Sequence, residues 1–217
     1  SMTRRLLDRK NRTSFIRGTG TNNMKSLHQI YTEVSVLPNR STDKGLGTYQ
    51  SPPDGIGHTY TEIYDLLFSK FRDKPINFLE IGINYGGSLK MWREYFTSAR
   101  ISGIDIRNSF LPFSNDEKIH SFVFDAGDKS AVDNIFGPET KFDIIIDDGA
   151  HEWQSQLKLF QLWSSRVSIG GLYVIEDVQD INDSFDKFLS ASPYRPTIID
   201  RRHINRRYDD VLLVYQF

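Results

Sequence analysis

Strands and helices are predicted to alternate along most of this chain, and that alternation constrains the fold more than any other feature of the sequence. Seven short segments rich in apolar residues have the length and composition of buried strands. They span residues 76–82, 100–106, 118–126, 142–148, 171–177, 194–200 and 209–217. Amphipathic segments of helical period follow several of them. The pattern predicts an α/β fold in which helices cover both faces of a mostly parallel, doubly wound sheet.

Two helices are predicted before the first strand, at residues 24–35 and 60–71. The side chains of the second helix that are expected to face the core are Ile63, Leu66, Leu67 and Phe68. Aromatic residues in both helices are a candidate face for a homo-oligomer. The other predicted helices span residues 86–96, 129–137, 152–167 and 182–191.

Two segments of the chain are strongly basic. Residues 3–22 carry six Arg or Lys against one acid, Asp8. The second segment contains Arg195, Arg201, Arg202, Arg206 and Arg207. We interpret both as solvated surface, with an anionic partner as the alternative. Residues 1–22 are thus predicted to be a flexible basic arm. The rest, 23–217, is predicted to be one domain, with a helical and loop cap at 23–72 and the core at 73–217.

Composition excludes several kinds of site. The 217 residues include no cysteine, so disulfides, thiolate zinc sites and cysteine nucleophiles are excluded, and any metal must be held by oxygen or imidazole. The net charge of −1 gives no overall signal for nucleic acid or an anionic membrane. No apolar run approaches the roughly 18–20 residues that cross a bilayer, and the N-terminus lacks an apolar signal segment. We therefore expect a cytoplasmic protein with no membrane association.

The first predicted strand ends in a glycine-rich turn, "LEIGINYGGS". Gly82, Gly86 and Gly87 permit a tight turn and close approach of the backbone to a ligand. The spacing is not that of the dinucleotide-binding motif, and no Lys-Ser/Thr pair follows to form a phosphate loop. Glu80, at the end of the strand, would repel a pyrophosphate, but its charge suits a ligand that carries a cation.

The next two predicted strands also end in carboxylates. Asp105 ends the second strand, 19 residues after Gly86, where an acid accepts hydrogen bonds from ribose hydroxyls in nucleotide-binding folds. A helix cap or a surface acid is the alternative for Asp105. Asp125 ends the third strand, where an adenine edge would lie, and it is equally plausible as a turn residue.

The densest group of polar residues follows the fourth and fifth predicted strands. Asp147, Asp148 and His151 follow the fourth, and Glu176 and Asp177 end the fifth. Neighbouring strands would bring these four carboxylates together, which is costly without a counter-charge. A divalent cation would supply it, and oxygen ligands favour Mg²⁺, Mn²⁺ or Ca²⁺. Helix capping explains one aspartate but not the acidic pair on the adjacent strand. Beside a metal, His151 is a candidate general base.

These segments resemble a known family. "NFLEIGINYGGSLKMWREYF", "ISGIDIR", "FDIIIDDGAHEWQSQ" and "IGGLYVIEDVQ" are similar to segments of class I S-adenosylmethionine-dependent methyltransferases. More narrowly, they resemble the metal-dependent sugar O-methyltransferases of macrolide biosynthesis and related proteins labelled cephalosporin hydroxylase. The upstream "STDKGLGTYQ" and "HTYTEIYDLLF" resemble the same family, so the resemblance covers about residues 41–217.

The resemblance implies a Rossmann-like fold with seven strands, the last antiparallel. It also implies a cofactor, S-adenosylmethionine, and a cation, Mg²⁺. The resemblance implies that Glu80 and Gly82 bind the methionine part of the cofactor, that Asp105 binds the ribose, and that Thr42, Asp43 and Lys44 lie near the cofactor. The set of predicted cofactor-binding residues is completed by Gly86, Ser88, Asp125 and Asp147. The implied metal ligands are Asp148, Glu176 and Asp177, with Asp148 and His151 as the catalytic residues.

The expected function is therefore a Mg²⁺-dependent O-methyltransferase that acts on a hydroxyl of a sugar, glycan or other polyol. One alternative is a nucleic-acid methyltransferase, although the Lys-Asp-Lys-Glu and Asn-Pro-Pro-Tyr patterns of such enzymes are absent from the sequence. A second alternative is a methyltransferase-fold protein that no longer catalyses and serves in an interaction. An iron hydroxylase is disfavoured because a facial triad needs two histidines, and only His151 is suitably placed.

Overall fold

A single mixed sheet organises the protein. The computed structural model describes residues 24–35, 42–45, 57–108 and 116–217, and the predicted arm at 1–22 lies outside these residues. The strands are β1 (Asn77–Ile81), β2 (Arg100–Asp105), β3 (Ile119–Val123), β4 (Phe142–Asp147), β5 (Val167–Ile175), β6 (Thr197–Asp200) and β7 (Val211–Gln216). In the described part of the chain they form one seven-stranded sheet in the order β3-β2-β1-β4-β5-β7-β6. Strand β7 is antiparallel to β5 and β6. The predicted fold class is confirmed.

Helices cover both faces of this sheet. They are α1 (Leu27–Ser35), α2 (Tyr60–Phe68), α3 (Gly87–Tyr95), α4 (Lys129–Phe136), α5 (Trp153–Trp163), α6 (Ile181–Ser190) and α7 (Arg202–Asn205). Short 3₁₀ turns extend α2 and α5 at Ser69–Phe71 and Ser164–Arg166. Helix α7 was not predicted, because four residues are too few to show a helical period.

Two apolar clusters, one on each face, make the core. Ile144 and Ile146 of β4 pack into the cluster that includes α1, α2 and α3. Ile145, between them, packs into the opposite cluster with α4, α5 and α6. Successive side chains of a strand point to opposite faces, so an uninterrupted apolar run is what a strand covered on both sides requires.

The face predicted to be buried in helix α2 is buried only in part. Tyr60, Tyr64 and Phe68 are fully buried, whereas Leu66 is 77% exposed. The three aromatic residues recur every four positions and therefore line one side of the helix. Tyr31 of α1 is buried in the same cluster. The aromatic side chains of α1 and α2 are thus used inside the chain and do not support the predicted homo-oligomer face.

The carboxyl ends of β2, β1, β4 and β5 are joined by backbone hydrogen bonds that continue beyond the strands. The Gly82 amide donates to the Ile104 carbonyl at 2.8 Å, and the Asp148 amide donates to the Ile81 carbonyl at 2.8 Å. The Glu176 amide donates to the Asp147 carbonyl at 2.9 Å. The polar residues that follow these strands are therefore held at one edge of the sheet, where α/β folds bind ligands.

Candidate active site

A cavity of about 590 Å³ opens at this edge of the sheet. The predicted site residues that line it are Thr42, Asp43, Gly82, Ser88, Asp105, Asp125, Asp148, His151 and Asp177. The predicted residues outside its lining are Lys44, Glu80, Gly86, Asp147 and Glu176. The residues predicted from the sequence therefore cluster at this cavity. Some of them line its wall, and the others lie in the layer behind the wall.

The turn after β1 can contain only glycine where it meets β4. Gly82 has a φ of +85°, and a Cβ atom built on it would lie 1.9 Å from the carbonyl oxygen of Asp148. Gly86, with a φ of +84°, directly precedes α3. Gly87 and Ser88, the first residues of that helix, line the cavity, so the helix begins at the ligand-binding edge.

Glu80 lies behind the cavity wall rather than in it. Its side chain is fully buried, and its Oε2 accepts a hydrogen bond of 2.6 Å from the hydroxyl of Ser88. Its other oxygen, Oε1, lies 3.1 Å from the Lys44 ammonium. Glu80 therefore acts on the cavity through Ser88, which lines it.

Asp105 fixes the glycine turn. Its Oδ2 accepts the amide hydrogens of Ile83 at 3.1 Å and Asn84 at 2.8 Å, and its Oδ1 accepts that of Arg107 at 2.9 Å. Oδ2 thus accepts two hydrogen bonds, whereas Oδ1 accepts one and keeps a second acceptor site for a ligand. Asp125 accepts the Gly127 amide at 2.8 Å, the turn geometry considered for it, while it also lines the cavity.

The Lys44 ammonium lies among three carboxylates. It is 2.6 Å from Asp148 Oδ2, 2.7 Å from Glu176 Oε2 and 3.1 Å from Glu80 Oε1. Burial opposes the positive charge, but the three acids outweigh it and raise the pKa of Lys44 well above its ordinary value. From the sequence, a metal ion alone is expected to supply this counter-charge. In the structure, a lysine of the chain supplies part of it.

Asp177 is held by a second buried group. His58 is the main partner: its Nε2 lies 3.2 Å from Asp177 Oδ1, and its Nδ1 lies 3.2 Å from Asp210 Oδ1. Tyr60 also donates a hydrogen bond of 2.7 Å to Asp177 Oδ1. Burial alone would raise the pKa of Asp177, but His58 and His151 hold it well below its usual range. Asp177 is therefore ionised, with its Oδ2 towards His151.

His151 lies between the two carboxylates of the cavity wall. Its Nε2 is 3.5 Å from Asp148 Oδ1 and 3.5 Å from Asp177 Oδ2. The hydrogen bond to Asp148 and the charges of both acids outweigh burial and raise the pKa of His151 to about 9. In the metal-free protein the imidazole therefore carries a proton at neutral pH.

The predicted metal ligands fall into two adjacent groups. Among the described residues, convergent side-chain atoms occur in the group Glu80, Asp148 and Glu176 and in the group Asp148, His151 and Asp177. Asp148 belongs to both, because Lys44 binds its Oδ2 and its Oδ1 faces His151. Oxygen and imidazole donors fit Mg²⁺ or Mn²⁺, so the donor chemistry agrees with the predicted cation.

Asp147 points away from the cavity. Its side chain is fully buried, and its Oδ2 accepts no hydrogen bond from the described residues. Burial raises the pKa of Asp147 to about 8, so the carboxyl group is protonated at neutral pH. Consecutive residues of a strand alternate between faces, and Asp148 takes the cavity side. The placement of Asp147 therefore disagrees with its predicted contact to the cofactor.

The arginine-rich segment is largely compensated within the chain. Arg201 pairs with Glu62 at 3.2 Å, and Arg202 pairs with Asp200 at 2.6 Å. Arg207 pairs with Asp209 at 2.9 Å, and its guanidinium also lies 3.5 Å from Asp43. These contacts favour the surface interpretation and weaken the argument for nucleic acid.

Four residues that contact or support the acidic side chains from the side away from the cavity were not predicted from the sequence. They are His58, Tyr60, Tyr64 and Asp210. The Tyr60 hydroxyl donates to Asp177. Tyr64 lies one helical turn further along α2, and its hydroxyl donates to Glu176 Oε1. Two tyrosines four residues apart were a usable signal, because polar aromatic residues on a buried helix face need a hydrogen-bond partner.

Comparisons with known proteins find similar methyltransferases. The 8-demethyl-8-alpha-L-rhamnosyl tetracenomycin-C 2'-O-methyltransferase of Streptomyces olivaceus is 34% identical over 129 residues, which cover 56% of this chain and 34% of the relative. The demethylmacrocin O-methyltransferase of Streptomyces fradiae is 34% identical over 137 residues, which cover 60% of this chain and 34% of the relative. The chain thus spans about a third of the length of these curated relatives. No protein-family model matches it.

Solved structures show the same fold. The methyltransferase MycE of the mycinamycin biosynthetic pathway, in complex with Mg and SAH, matches with a TM-score of 0.57 and 29% identity, over 71% of this chain and 36% of MycE. Its complex with Mg, SAH and mycinamycin VI matches with a TM-score of 0.63 and 21% identity, over 89% and 55%. This chain has the class I methyltransferase fold, and its predicted resemblance to the macrolide sugar O-methyltransferases is confirmed.

Proposed function

We propose that this protein is an S-adenosylmethionine-dependent O-methyltransferase that uses a divalent cation, preferably Mg²⁺, and methylates a hydroxyl group of a glycosylated small molecule. One observation carries the proposal. Asp148, His151 and Asp177 converge on the wall of the same cavity that the glycine turn and Asp105 line. A general base and two cation ligands thus share one cavity with the expected cofactor site. The names of the curated relatives support a sugar hydroxyl as the acceptor.

The cofactor would bind along the glycine turn. Bound S-adenosylmethionine supplies a methyl group on a positively charged sulfur. Asp105 would accept hydrogen bonds from the ribose hydroxyls, as it already accepts the amides of the turn. Ser88, backed by Glu80, would bind the methionine part, and Asp43 and Thr42 close the cavity beside it. Carboxylates without a phosphate-binding lysine motif suit a cationic ligand better than a nucleotide phosphate.

The acceptor hydroxyl would be activated at the opposite wall. A divalent cation held by Asp148 and Asp177, with Glu176 as the third predicted ligand, would polarise the hydroxyl and cancel the charges that raise the pKa of His151. The Nε2 atom of His151, in its neutral form, would then take the hydroxyl proton. Asp148 would keep the imidazole oriented through the contact at 3.5 Å. Alignment of the oxygen with the methyl carbon is the main task left to the cavity.

The extent of the catalytic unit is part of the same proposal. Residues 23–217 would form one domain, with α1 and α2 as its cap. The apolar contacts of α1 and α2 with α3 support this, since all three helices share one core cluster. Among the described residues, no helix has the length and apolarity needed to cross a membrane.

The proposal is tested by separating binding from transfer. SAH binding is measured by calorimetry, and methyl transfer from labelled S-adenosylmethionine is measured on a panel of deoxysugar glycosides with Mg²⁺ or EDTA. We expect wild type to bind SAH and to transfer only with the metal. His151→Gln should bind SAH normally and lose about 10²–10⁴-fold in rate. Absence of SAH binding, or full activity of His151→Gln, would contradict the proposal.

A further inference from the structure

The side chain of Lys44 occupies a position that the proposed cation also needs. An ammonium group has three N–H donors, and Lys44 Nζ has three carboxylate partners, Asp148, Glu176 and Glu80, at 2.6, 2.7 and 3.1 Å. Its side chain is fully buried. Lys44 is therefore bound in the way that a small cation would be bound, by oxygen atoms on three sides.

Two of these partners are proposed ligands of the divalent cation. Glu176 has one oxygen, Oε1, engaged by the Tyr64 hydroxyl, and the other, Oε2, engaged by Lys44. Asp148 Oδ2 is likewise engaged by Lys44, which leaves its Oδ1 towards His151. Both oxygens of Glu176 are thus engaged, so a cation that uses Glu176 must compete with Lys44 for Oε2 or with Tyr64 for Oε1, whereas Asp148 can offer it Oδ1.

The backbone of Lys44 is held by hydrogen bonds, so a change of ammonium partner would involve the side chain alone. The Lys44 carbonyl accepts the Tyr60 amide at 3.0 Å, and the preceding carbonyl of Asp43 accepts the His58 amide at 2.5 Å. Beyond the backbone, the lysine side chain is a flexible stem of four carbon atoms. Glu80 Oε1 accepts no hydrogen bond from other described groups. It can therefore keep its contact with the ammonium when Asp148 and Glu176 bind the divalent cation instead of Lys44.

We propose that Lys44 is a positioning residue that acts as a built-in competitor of the divalent cation: cation binding moves the ammonium from Asp148 and Glu176 onto Glu80. The inference rests on the metal site of the proposed function. It implies that Lys44 stabilises the metal-free protein, because it compensates the buried acids, and that it weakens cation affinity. Cation binding then requires an ordered exchange of one positive charge for another at the same carboxylates.

The affinity for Mn²⁺ alone tests this exchange. It is measured by electron paramagnetic resonance on wild type, Lys44→Met, Lys44→Arg and the control Lys70→Met. Lys70 contacts Gly170 in the amino-terminal half of β5, away from the cavity edge of the sheet. Lys44→Met, which keeps the length but removes the charge, should bind Mn²⁺ at least about tenfold more tightly. Lys70→Met should match wild type, Lys44→Arg, which keeps the charge, should bind Mn²⁺ no more tightly than wild type, and Mn²⁺ should raise the melting temperature most in Lys44→Met.

A merely structural role predicts the opposite sign, since a disturbed site binds the ion less well. Equal or weaker binding by folded Lys44→Met, beside a wild type that binds Mn²⁺, would overturn the inference and leave the proposed function intact. Absence of Mn²⁺ binding in every protein would instead refute the metal site itself, and the inference with it.

A second measurement needs only the folded wild-type protein. A buried, hydrogen-bonded ammonium gives an observable ¹⁵Nζ resonance, which Lys44→Arg would assign by its loss. Mg²⁺ should shift this resonance, because the ammonium changes partners. An unchanged resonance at saturating Mg²⁺ would overturn the inference even if Lys44→Met does not fold.

Discussion

The hydroxyl of Tyr60 donates a hydrogen bond of 2.7 Å to Oδ1 of Asp177, and this contact joins helix α2 to the residue pair that follows β5. One turn later on α2, the hydroxyl of Tyr64 donates to Oε1 of Glu176. Asp177 has a positive φ of 56°, so the backbone leaves the extended conformation of the strand at this residue. A single helix face therefore sets the directions of two neighbouring carboxylates.

Removal of the Tyr60 hydroxyl should affect the site more than the fold. In Tyr60→Phe, Asp177 loses a donor that orients it, and groups that orient metal ligands are typically worth 10- to 100-fold in metal affinity or activity. We expect Mn²⁺ affinity to fall by about that factor. The matched control is Tyr95→Phe, which removes a 2.7 Å bond to Asp65 elsewhere in the molecule. If both variants bind Mn²⁺ as wild type does, Tyr60 has no role in holding the ligand.

The glycine at the end of β1 should tolerate no side chain. A Cβ on Gly82 meets the Asp148 carbonyl at 1.9 Å, whereas a Cβ on Gly170, which has a similar positive φ of 81°, meets nothing within 4 Å. Gly170→Ala should cost about 1–2 kcal/mol of unfolding free energy through backbone strain alone. Gly82→Ala should cost at least about 3 kcal/mol, because Asp148 must also move. Urea denaturation of the two variants makes the comparison, and equal losses would contradict it.

Asp147 should make stability depend on pH. In the folded protein burial raises the pKa of Asp147 to about 8, whereas an unfolded aspartate has a pKa of roughly 3.9. Between these values the folded state holds the extra proton, so the stability of wild type falls as pH rises. Asp147→Asn lacks this pH dependence, so its stability relative to wild type should rise by up to about 5 kcal/mol between pH 4 and pH 8. Urea denaturation at both pH values tests this, and a pH-independent difference would refute it.

Asp105 should couple the glycine turn to cofactor binding. In Asp105→Ala, the amides of Ile83 and Asn84 lose their acceptor, and the cavity loses the group proposed for the ribose. SAH affinity measured by calorimetry should fall by about 10- to 100-fold. Asp116→Ala, which removes an ion pair with Arg93 at 3.1 Å, is the control and should bind SAH normally. Retained SAH affinity in Asp105→Ala would move the cofactor away from this wall.

Local patterns were sufficient for much of the sheet and for the cavity. The apolar run Phe142–Asp147 became a strand with both faces buried, and Asp148 and His151 lie on the cavity wall as their position after that strand implied. The buried face of α2 was predicted only in part: Phe68 is buried as expected, but the tyrosines of the helix were not counted as core residues. Leu66, an apolar residue, is exposed in their place. Hydrophobicity alone cannot rank a buried tyrosine that has a hydrogen-bond partner against an exposed leucine.

By itself, the sequence determined the order of strands and helices, the edge of the sheet that carries polar residues, and the absence of thiol chemistry. These properties depend on short-range periodicity and on residue type, which are readable from neighbours along the chain. Only the tertiary structure decided how the acids are compensated. Lys44 is separated by 104 residues from Asp148 and by 132 from Glu176. Such contacts follow from the packing of distant segments, because a buried charge is compensated by whichever opposite charge the fold brings within a few ångströms.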